Sequence, residues 1–133
     1  MAIGQHYQNA YVTRNVDKAV EGFRKWADTR LILETAVEVK LWTPEGEGVG
    51  IQKLAFVWID DLNYELIEPK SGDVLKIYKD ALPEGDELVL HHVCHRGTPD
   101  MLQFCYVDTR EWLGHFTEYI WANPERWRQL GGR

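Results

Sequence analysis

The chain has 133 residues, enough for one domain with a hydrophobic core and too few for two ordinary domains. Its composition, 44% hydrophobic and 27% charged, is that of a globular protein rather than a disordered one. The formal net charge of −6 argues against nucleic acid and anionic membrane surfaces as partners. No stretch approaches the roughly 20 apolar residues of a membrane span, and the N-terminus does not have the pattern of a secretory signal. We therefore expect a cytoplasmic location.

The chain has two cysteines, Cys94 and Cys105. They could form a disulfide only if their strands are neighbours. In a chain of cytoplasmic character, two cysteines are more often core thiols. We expect both to be free.

The first 70 residues predict one helix and at least three strands. Residues 8–13 are typical of a strand, and Asn15 then stands in an N-cap position. Apolar residues between 16 and 27 recur at helical spacing, which predicts an amphipathic helix packed on a sheet. The later elements are strands at 31–43, 51–60 and 64–69, a turn or loop at 45–50, and a tight turn at 61–63.

The second half predicts a shorter version of the same pattern. A short helix between 71 and 85 is stopped by Pro83 and Gly85. The later elements are strands at 87–95, 101–109 and 115–122, a turn at 96–100, a link at 110–114, and a short helix in the tail. In this weak repeat, residues 92–95 correspond to the first strand, and 117–121 correspond to 64–68.

Each half places two polar, metal-capable side chains on strands. Gln8 and His92 lie near the starts of the first strands, and Glu65 and Glu118 lie on the last ones. Imidazole and carboxylate bind divalent ions such as Ni²⁺, Zn²⁺, Mn²⁺ or Fe²⁺, and an amide oxygen is a tolerable further ligand. Four protein ligands leave open positions on a six-coordinate ion. A metal there can bind two substrate oxygens and stabilise an enolate.

Simpler interpretations of the same residues exist. A strand glutamate such as Glu65 is often solvent-facing, and His91 with His92 fits a surface histidine beside a hydrogen-bonded core one. Rival ligands are His6, His95 and His115, the last of which is also a candidate partner of Glu118. Candidate cavity-lining residues are Trp58 and Tyr106. The residues alone therefore leave open a metal site or a structural α+β dimer in which these side chains only form hydrogen bonds.

Four segments together resemble the vicinal oxygen chelate superfamily, which groups glyoxalase I, methylmalonyl-CoA epimerase, extradiol dioxygenases and bleomycin-resistance proteins. The segments are "QNAYVTRNVDKAVEGF", "LAFVWIDDLNYELIEP", "LHHVC" and "YVDTREWLGHFTEYIW". Gln8 falls on the position of the family's first metal ligand, with Asn15 and Ala19 on its typical Asp and Ala. The three other ligand positions fall on Glu65, His92 and Glu118.

The resemblance implies an α+β fold in which paired βαβββ modules form a cupped mixed sheet, usually in a homodimer. Residues 1–70 correspond to the first module and 87–122 to the second, within a single domain of residues 1–133 that ends in the tail 123–133. The second module is shortened, because the family places a helix and a strand where this chain has only a short connection at 96–101. Either this element is lost, and apolar surface is left for a partner chain to cover, or the sequence omits a segment.

The resemblance also implies a reaction class. The set of one His, one Gln and two Glu is closer to glyoxalase I and the epimerase than to the dioxygenases, which usually present two His and one Glu. We expect a metal-dependent lyase or isomerase of the glyoxalase type, acting by proton transfer next to a carbonyl of a small substrate. Gln8, Glu65, His92 and Glu118 are the expected ligands of the divalent ion, with Glu118 also the candidate base. The alternative is a non-catalytic binding protein of the bleomycin-resistance type.

Overall fold

The computed structural model describes residues 4–97 and 104–132, which form a curled, mixed seven-stranded sheet with few helices. The sheet order is β2–β3–β4–β1–β5–β7–β6. The strands are β1 His6–Val12, β2 Arg30–Thr43, β3 Gly46–Ile59, β4 Leu62–Ser71, β5 Val89–Arg96, β6 Phe104–Val107 and β7 Phe116–Ile120. The helices are α1 Val16–Trp26, α2 Lys76–Lys79, α3 Arg110–Leu113 and α4 Pro124–Gln129, with a 3₁₀ turn at Asp73–Leu75 before α2. The predicted α+β class is confirmed.

Helix α1 covers one face of the first half of the sheet, called here the helix face. The side chain of Asn15 accepts a hydrogen bond from the Lys18 backbone N–H at 3.0 Å, so the predicted N-cap is confirmed. Beneath the helix lies a cluster made of Val16, Val20, Phe23, Ala55, Val57 and Leu66. Each large apolar side chain buried in this way stabilises the fold by about 1.5–3 kcal/mol.

The two halves of the sheet repeat the same register. In the first half β1 runs parallel to β4, with Ala10 opposite Glu65. In the second half β5 runs parallel to β7, with Cys94 opposite Glu118, and antiparallel pairing of β1 with β5 joins the halves. Gln8 lies two residues before Ala10, and His92 lies two residues before Cys94. Gln8 and His92 therefore occupy equivalent positions, as do Glu65 and Glu118.

The second half is shorter, as expected. Only residues 97–103 separate β5 from β6, too few for a counterpart of α1 and β2. The helix face of this half has no covering helix in the described residues, and Leu90 and Val107 are 39% and 46% exposed there. Cover by a partner chain stays a prediction.

The prediction of a loop at residues 45–50 was wrong, because β3 begins at Gly46 and pairs with β2 through a turn at Pro44 and Glu45. The glycines that suggested a loop permit close packing instead. A Cβ at Gly48 would lie 2.3 Å from Cγ1 of Val74, and one at Gly50 would lie 2.4 Å from Cγ of Leu75. The glycines thus let the 3₁₀ turn lie directly on the strand.

Other boundaries differ in smaller ways. The tight turn lies at Asp60 and Asp61, one residue earlier than predicted, and the link at 110–114 contains α3. Of the predicted turn at 96–100, residues 98–100 lie outside the described residues, as do 101–103 of the following strand. Cys94 and Cys105 are both free thiols, as predicted.

The opposite face of the sheet, called here the inner face, is closed by the C-terminal segment. Leu130 packs on a core cluster with Ala10, Val12 and Ile67. The carbonyl of Leu130 accepts a hydrogen bond from Nε1 of Trp58 at 2.7 Å. None of the described helices is long and apolar enough to cross a membrane.

Candidate metal centre

Three sequence-predicted ligands meet on the inner face. Glu65 on β4, His92 on β5 and Glu118 on β7 offer ligand atoms that all lie within 4.8 Å of one another. Nε2 of His92 lies 2.9 Å from Oε2 of Glu118 and 3.5 Å from Oε1 of Glu65. Between the strands of Glu65 and His92 stands Ala10, whose small side chain leaves room for the cluster. These three residues could hold a metal ion.

The cluster is buried and negatively charged. The side chains of His92, Glu118 and Glu65 are 0%, 8% and 13% exposed, so a solvent-facing Glu65 is ruled out. Among the described residues, His92 is the only ion-pair partner of either carboxylate. Even a protonated imidazole would leave one negative charge uncompensated. Because an unpaired buried charge is costly, a divalent cation suits this arrangement.

A β-bulge brings His91 to the site as well. His92 pairs with Ala10, but the next pair joins Leu90 to Tyr11, so His91 has no partner across the strand. In regular strand geometry the two histidines would point to opposite faces, whereas a bulge redirects a side chain. His91 is only 2% exposed, and the interpretation of it as a surface histidine was wrong.

His91 fixes which nitrogen of His92 carries a proton. Nε2 of His91 lies 3.0 Å from the carbonyl of Ile77, and a carbonyl can only accept, so Nε2 is the donor. Burial and the neighbouring His92 lower the pKa of His91 to about 4, which makes its ring neutral with an unprotonated Nδ1. That atom lies 2.8 Å from Nδ1 of His92 and accepts its proton. The lone pair of a neutral His92 is therefore on Nε2 and faces the two carboxylates.

The Nε2 atom of His92 is the observation that fits a metal. It is buried and has no hydrogen-bond partner among the described residues, because its short contacts with the carboxylates lack hydrogen-bond geometry. Burial lowers the pKa of His92, but Glu118 and Glu65 outweigh burial and raise the pKa to about 9. Burial also raises the pKa of Glu65. The cluster thus attracts either a proton or a cation, and its oxygen and nitrogen donors suit a divalent metal.

Gln8 lies on the same face of β1, two residues before Ala10, and stands opposite Asn63 on β4 and Cys94 on β5. It is 4% exposed, and its Nε2 donates a hydrogen bond to Oδ1 of Asn63 at 2.8 Å. Its Oε1 is the atom that it would offer to a metal. The role of Gln8 as a fourth ligand stays a prediction.

The rival histidines have other contacts. The rings of His6, His95 and His115 lie within hydrogen-bond distance of the Asn9 side chain, the Gly4 carbonyl and the Phe116 carbonyl, respectively. None of the three rings belongs to the buried cluster. The candidate contact of His115 with Glu118 is likewise not among the hydrogen bonds of the described residues.

The two candidate lining residues have different surroundings. The ring of Tyr106 lies 5.0 Å from that of His92, centroid to centroid. Trp58 belongs to an aromatic cluster with Tyr7 and Trp127 beneath the C-terminal segment. A cleft of about 200 Å³ lies beside His91 and is also lined by Leu90, Arg110 and Phe116, but Glu65, His92 and Glu118 are not among its lining residues.

Sequence reasoning missed three residues around the cluster. His91 orients His92, Asn63 holds the amide of Gln8, and Tyr78 contacts both His91 and Tyr106. The adjacent histidines were a visible signal, but the bulge that buries both depends on strand pairing. The pairing of Asn63 with Gln8 likewise required the register of β1 and β4.

Comparisons with known proteins support the fold but give no family. No protein-family model matches the chain, and no curated protein matches it either. A solved structure that does match is the crystal structure of a hypothetical protein from Bacillus halodurans C-125. It is 14% identical with a TM-score of 0.60, and the match covers 90% of this chain and 94% of that chain. At this identity, the likeness shows a shared fold alone.

Proposed function

We propose that the protein is a metal-dependent lyase or isomerase of the glyoxalase type, a member of the vicinal oxygen chelate superfamily. The observation that carries the proposal is the buried Nε2 of His92, which faces Glu65 and Glu118 without a hydrogen bond. The ion would be Ni²⁺, Zn²⁺, Mn²⁺ or Fe²⁺, because these ions accept mixed imidazole and carboxylate ligands.

The internal repeat of the sheet supports the family assignment. Gln8 and His92 occupy equivalent register positions, and so do Glu65 and Glu118. These are the four positions at which the resemblance places metal ligands. A site formed at the junction of two repeated halves also explains why one face of β1, β4, β5 and β7 gathers the polar side chains.

Each residue then has a distinct task. When bound, the ion would stabilise negative charge that develops on a substrate oxygen. His91 would keep Nε2 of His92 directed at the ion, and Glu65 would compensate its charge. Glu118 would take a proton from the substrate carbon next to the carbonyl; the proton would return to the adjacent carbonyl carbon of a hemithioacetal, or to the opposite face of the same carbon of an acyl thioester.

The proposal is tested by deuterium exchange. Metal-loaded protein is incubated in D₂O with a 2-oxoaldehyde hemithioacetal or a 2-branched acyl thioester, and exchange next to the carbonyl is followed by NMR. Glu118→Gln keeps an oxygen ligand but removes the base, so exchange should fall by about 100-fold or more. Glu38→Gln, an exposed glutamate on β2, is the matched control and should exchange normally.

Two outcomes would contradict the proposal. If no divalent ion binds, the metal-dependent reaction is excluded. If the ion binds but no substrate of either class exchanges deuterium, the site is better explained as a binding cleft of the bleomycin-resistance type.

A further inference from the structure

The metal cluster is almost closed off from solvent. The side chains of Glu65, His92 and Glu118 are at most 13% exposed. None of the three lines the cleft beside His91, and none lines a groove formed by Arg96 and the C-terminal segment. A hydrated metal ion, and still more a substrate, needs a wider opening than this conformation of the described residues provides.

The C-terminal segment, residues 123–132, lies on the inner face beside the cluster. Its Trp127 packs in a buried group with Cys94, which stands opposite one of the metal-site glutamates in the register of β5 and β7. Its Leu130 packs in the core cluster that contains Ala10, the residue that stands between two of the metal ligands. The segment thus covers the strands from which the ligands project.

Few contacts hold the segment in place. Only two of its side chains are buried, those of Trp127 and Leu130. Its backbone accepts a hydrogen bond from Nη1 of Arg30 at the carbonyl of Gly131, at 2.7 Å, and one from Nε1 of Trp58 at the carbonyl of Leu130, also at 2.7 Å. Because it buries so little apolar surface, the segment should open at a lower free energy than the sheet beneath it.

The fit of the segment depends on glycine. Gly131 has a φ of 92°, in the left-handed region, and a Cβ there would lie 2.3 Å from Nε1 of Trp58. A Cβ at Gly132 would lie 2.1 Å from Cε2 of Trp127. One added methyl group at position 131 would therefore disturb the closed position of the segment without touching a metal ligand.

We propose that residues 123–132 form a lid that moves away from the inner face to admit the metal ion and the substrate and then closes over them. The lid bends at residues 121–122, the irregular connection between β7 and α4. This inference rests on the proposed function for what enters the site. The movement itself can be measured without metal.

The test uses the thiol of Cys94 as a reporter beneath the lid, because this residue is 0% exposed and packs with Trp127. A Cys105→Ser parent leaves Cys94 as its only thiol. Labelling of metal-free protein by a thiol-reactive disulfide reagent is followed at a series of urea concentrations below the unfolding transition. Zinc uptake by the same protein is measured by stopped-flow mixing.

Two glycine substitutions are compared in this parent. Gly131→Ala disturbs the lid. Gly114→Ala is the matched control, because Gly114 also has a left-handed φ, of 80°, but a Cβ there would meet nothing within 4 Å.

We expect the labelling rate of the parent to be independent of urea, because local opening exposes little surface. Gly131→Ala should be labelled about tenfold to 100-fold faster, since strain in the closed lid favours the open one. Its zinc uptake should accelerate by a similar factor, with the same zinc stoichiometry, and Gly114→Ala should match the parent in both rates.

A labelling rate of the parent that rises with urea as steeply as global unfolding would overturn the inference, even if Gly131→Ala does not fold. Unchanged labelling or unchanged zinc uptake in a folded Gly131→Ala protein would also overturn it. Urea-independent labelling in a protein that binds no zinc would support the lid but overturn the proposed function.

Discussion

Competition between protons and metal at His92 gives a quantitative prediction. A metal can bind only the unprotonated Nε2, and the carboxylates raise the pKa of this residue to about 9. At pH 8 about one metal-free molecule in eleven then has an unprotonated ring, and at pH 6 about one in a thousand. The apparent zinc affinity should therefore fall about 90-fold between pH 8 and pH 6, which corresponds to roughly 2.7 kcal/mol.

The assay is competition against a chromophoric chelator whose own protonation is known, in buffers that do not bind metal. Calorimetry at pH 7 in two buffers of different ionisation enthalpy should also report about one proton released per zinc ion. His115→Gln is the control that should keep the full pH dependence, because His115 lies outside the cluster. A change in affinity of less than threefold over this range, or no released proton, would refute the reasoning.

Three further changes have distinct expected outcomes. In the metal-free protein, the pKa of His92 is raised from its ordinary value of 6.5 to about 9, so protonated His92 stabilises the fold fully below pH 6.5 and this contribution is lost as the pH rises through about 9. Urea denaturation should show that the free energy of unfolding falls by about 3 kcal/mol over this range. A free energy of unfolding that does not change with pH would argue against the interaction of protonated His92 with the two carboxylates. His91→Phe removes the acceptor that orients His92 and should weaken zinc binding by about 10-fold to 100-fold in the same competition assay, with an unchanged affinity counting against this role. Leu66→Ala empties a fully buried position on the helix face and should lower the free energy of unfolding by about 2–5 kcal/mol while leaving zinc stoichiometry intact.

The strands and the main helix could be predicted because their signals are local. Asn15 and the apolar positions after it define α1 from helix capping and spacing alone. The glycines at 48 and 50 misled the prediction, because a side chain at either position would collide with Val74 or Leu75, which lie more than twenty residues away in the sequence. Glycine in a strand and glycine in a loop give the same local pattern.

The site was predictable in part. Glu65, His92 and Glu118 could be selected from a repeated pattern of polar residues and a family resemblance, and the structure brings them together. The burial of His91 could not be foreseen, because a β-bulge is set by the pairing of β5 with β1. The contact between Tyr78 and Tyr106 depends in the same way on how α2 packs across the sheet.

Elemental analysis of the purified protein tests the central claim most directly. The protein is prepared without chelators and without a His-tag, beside Glu65→Ala and the control Glu38→Ala. The account predicts near-stoichiometric Ni, Zn, Mn or Fe in wild type and Glu38→Ala, and its loss in Glu65→Ala. Wild-type protein that holds no metal, even after incubation with each ion and dialysis, would contradict it.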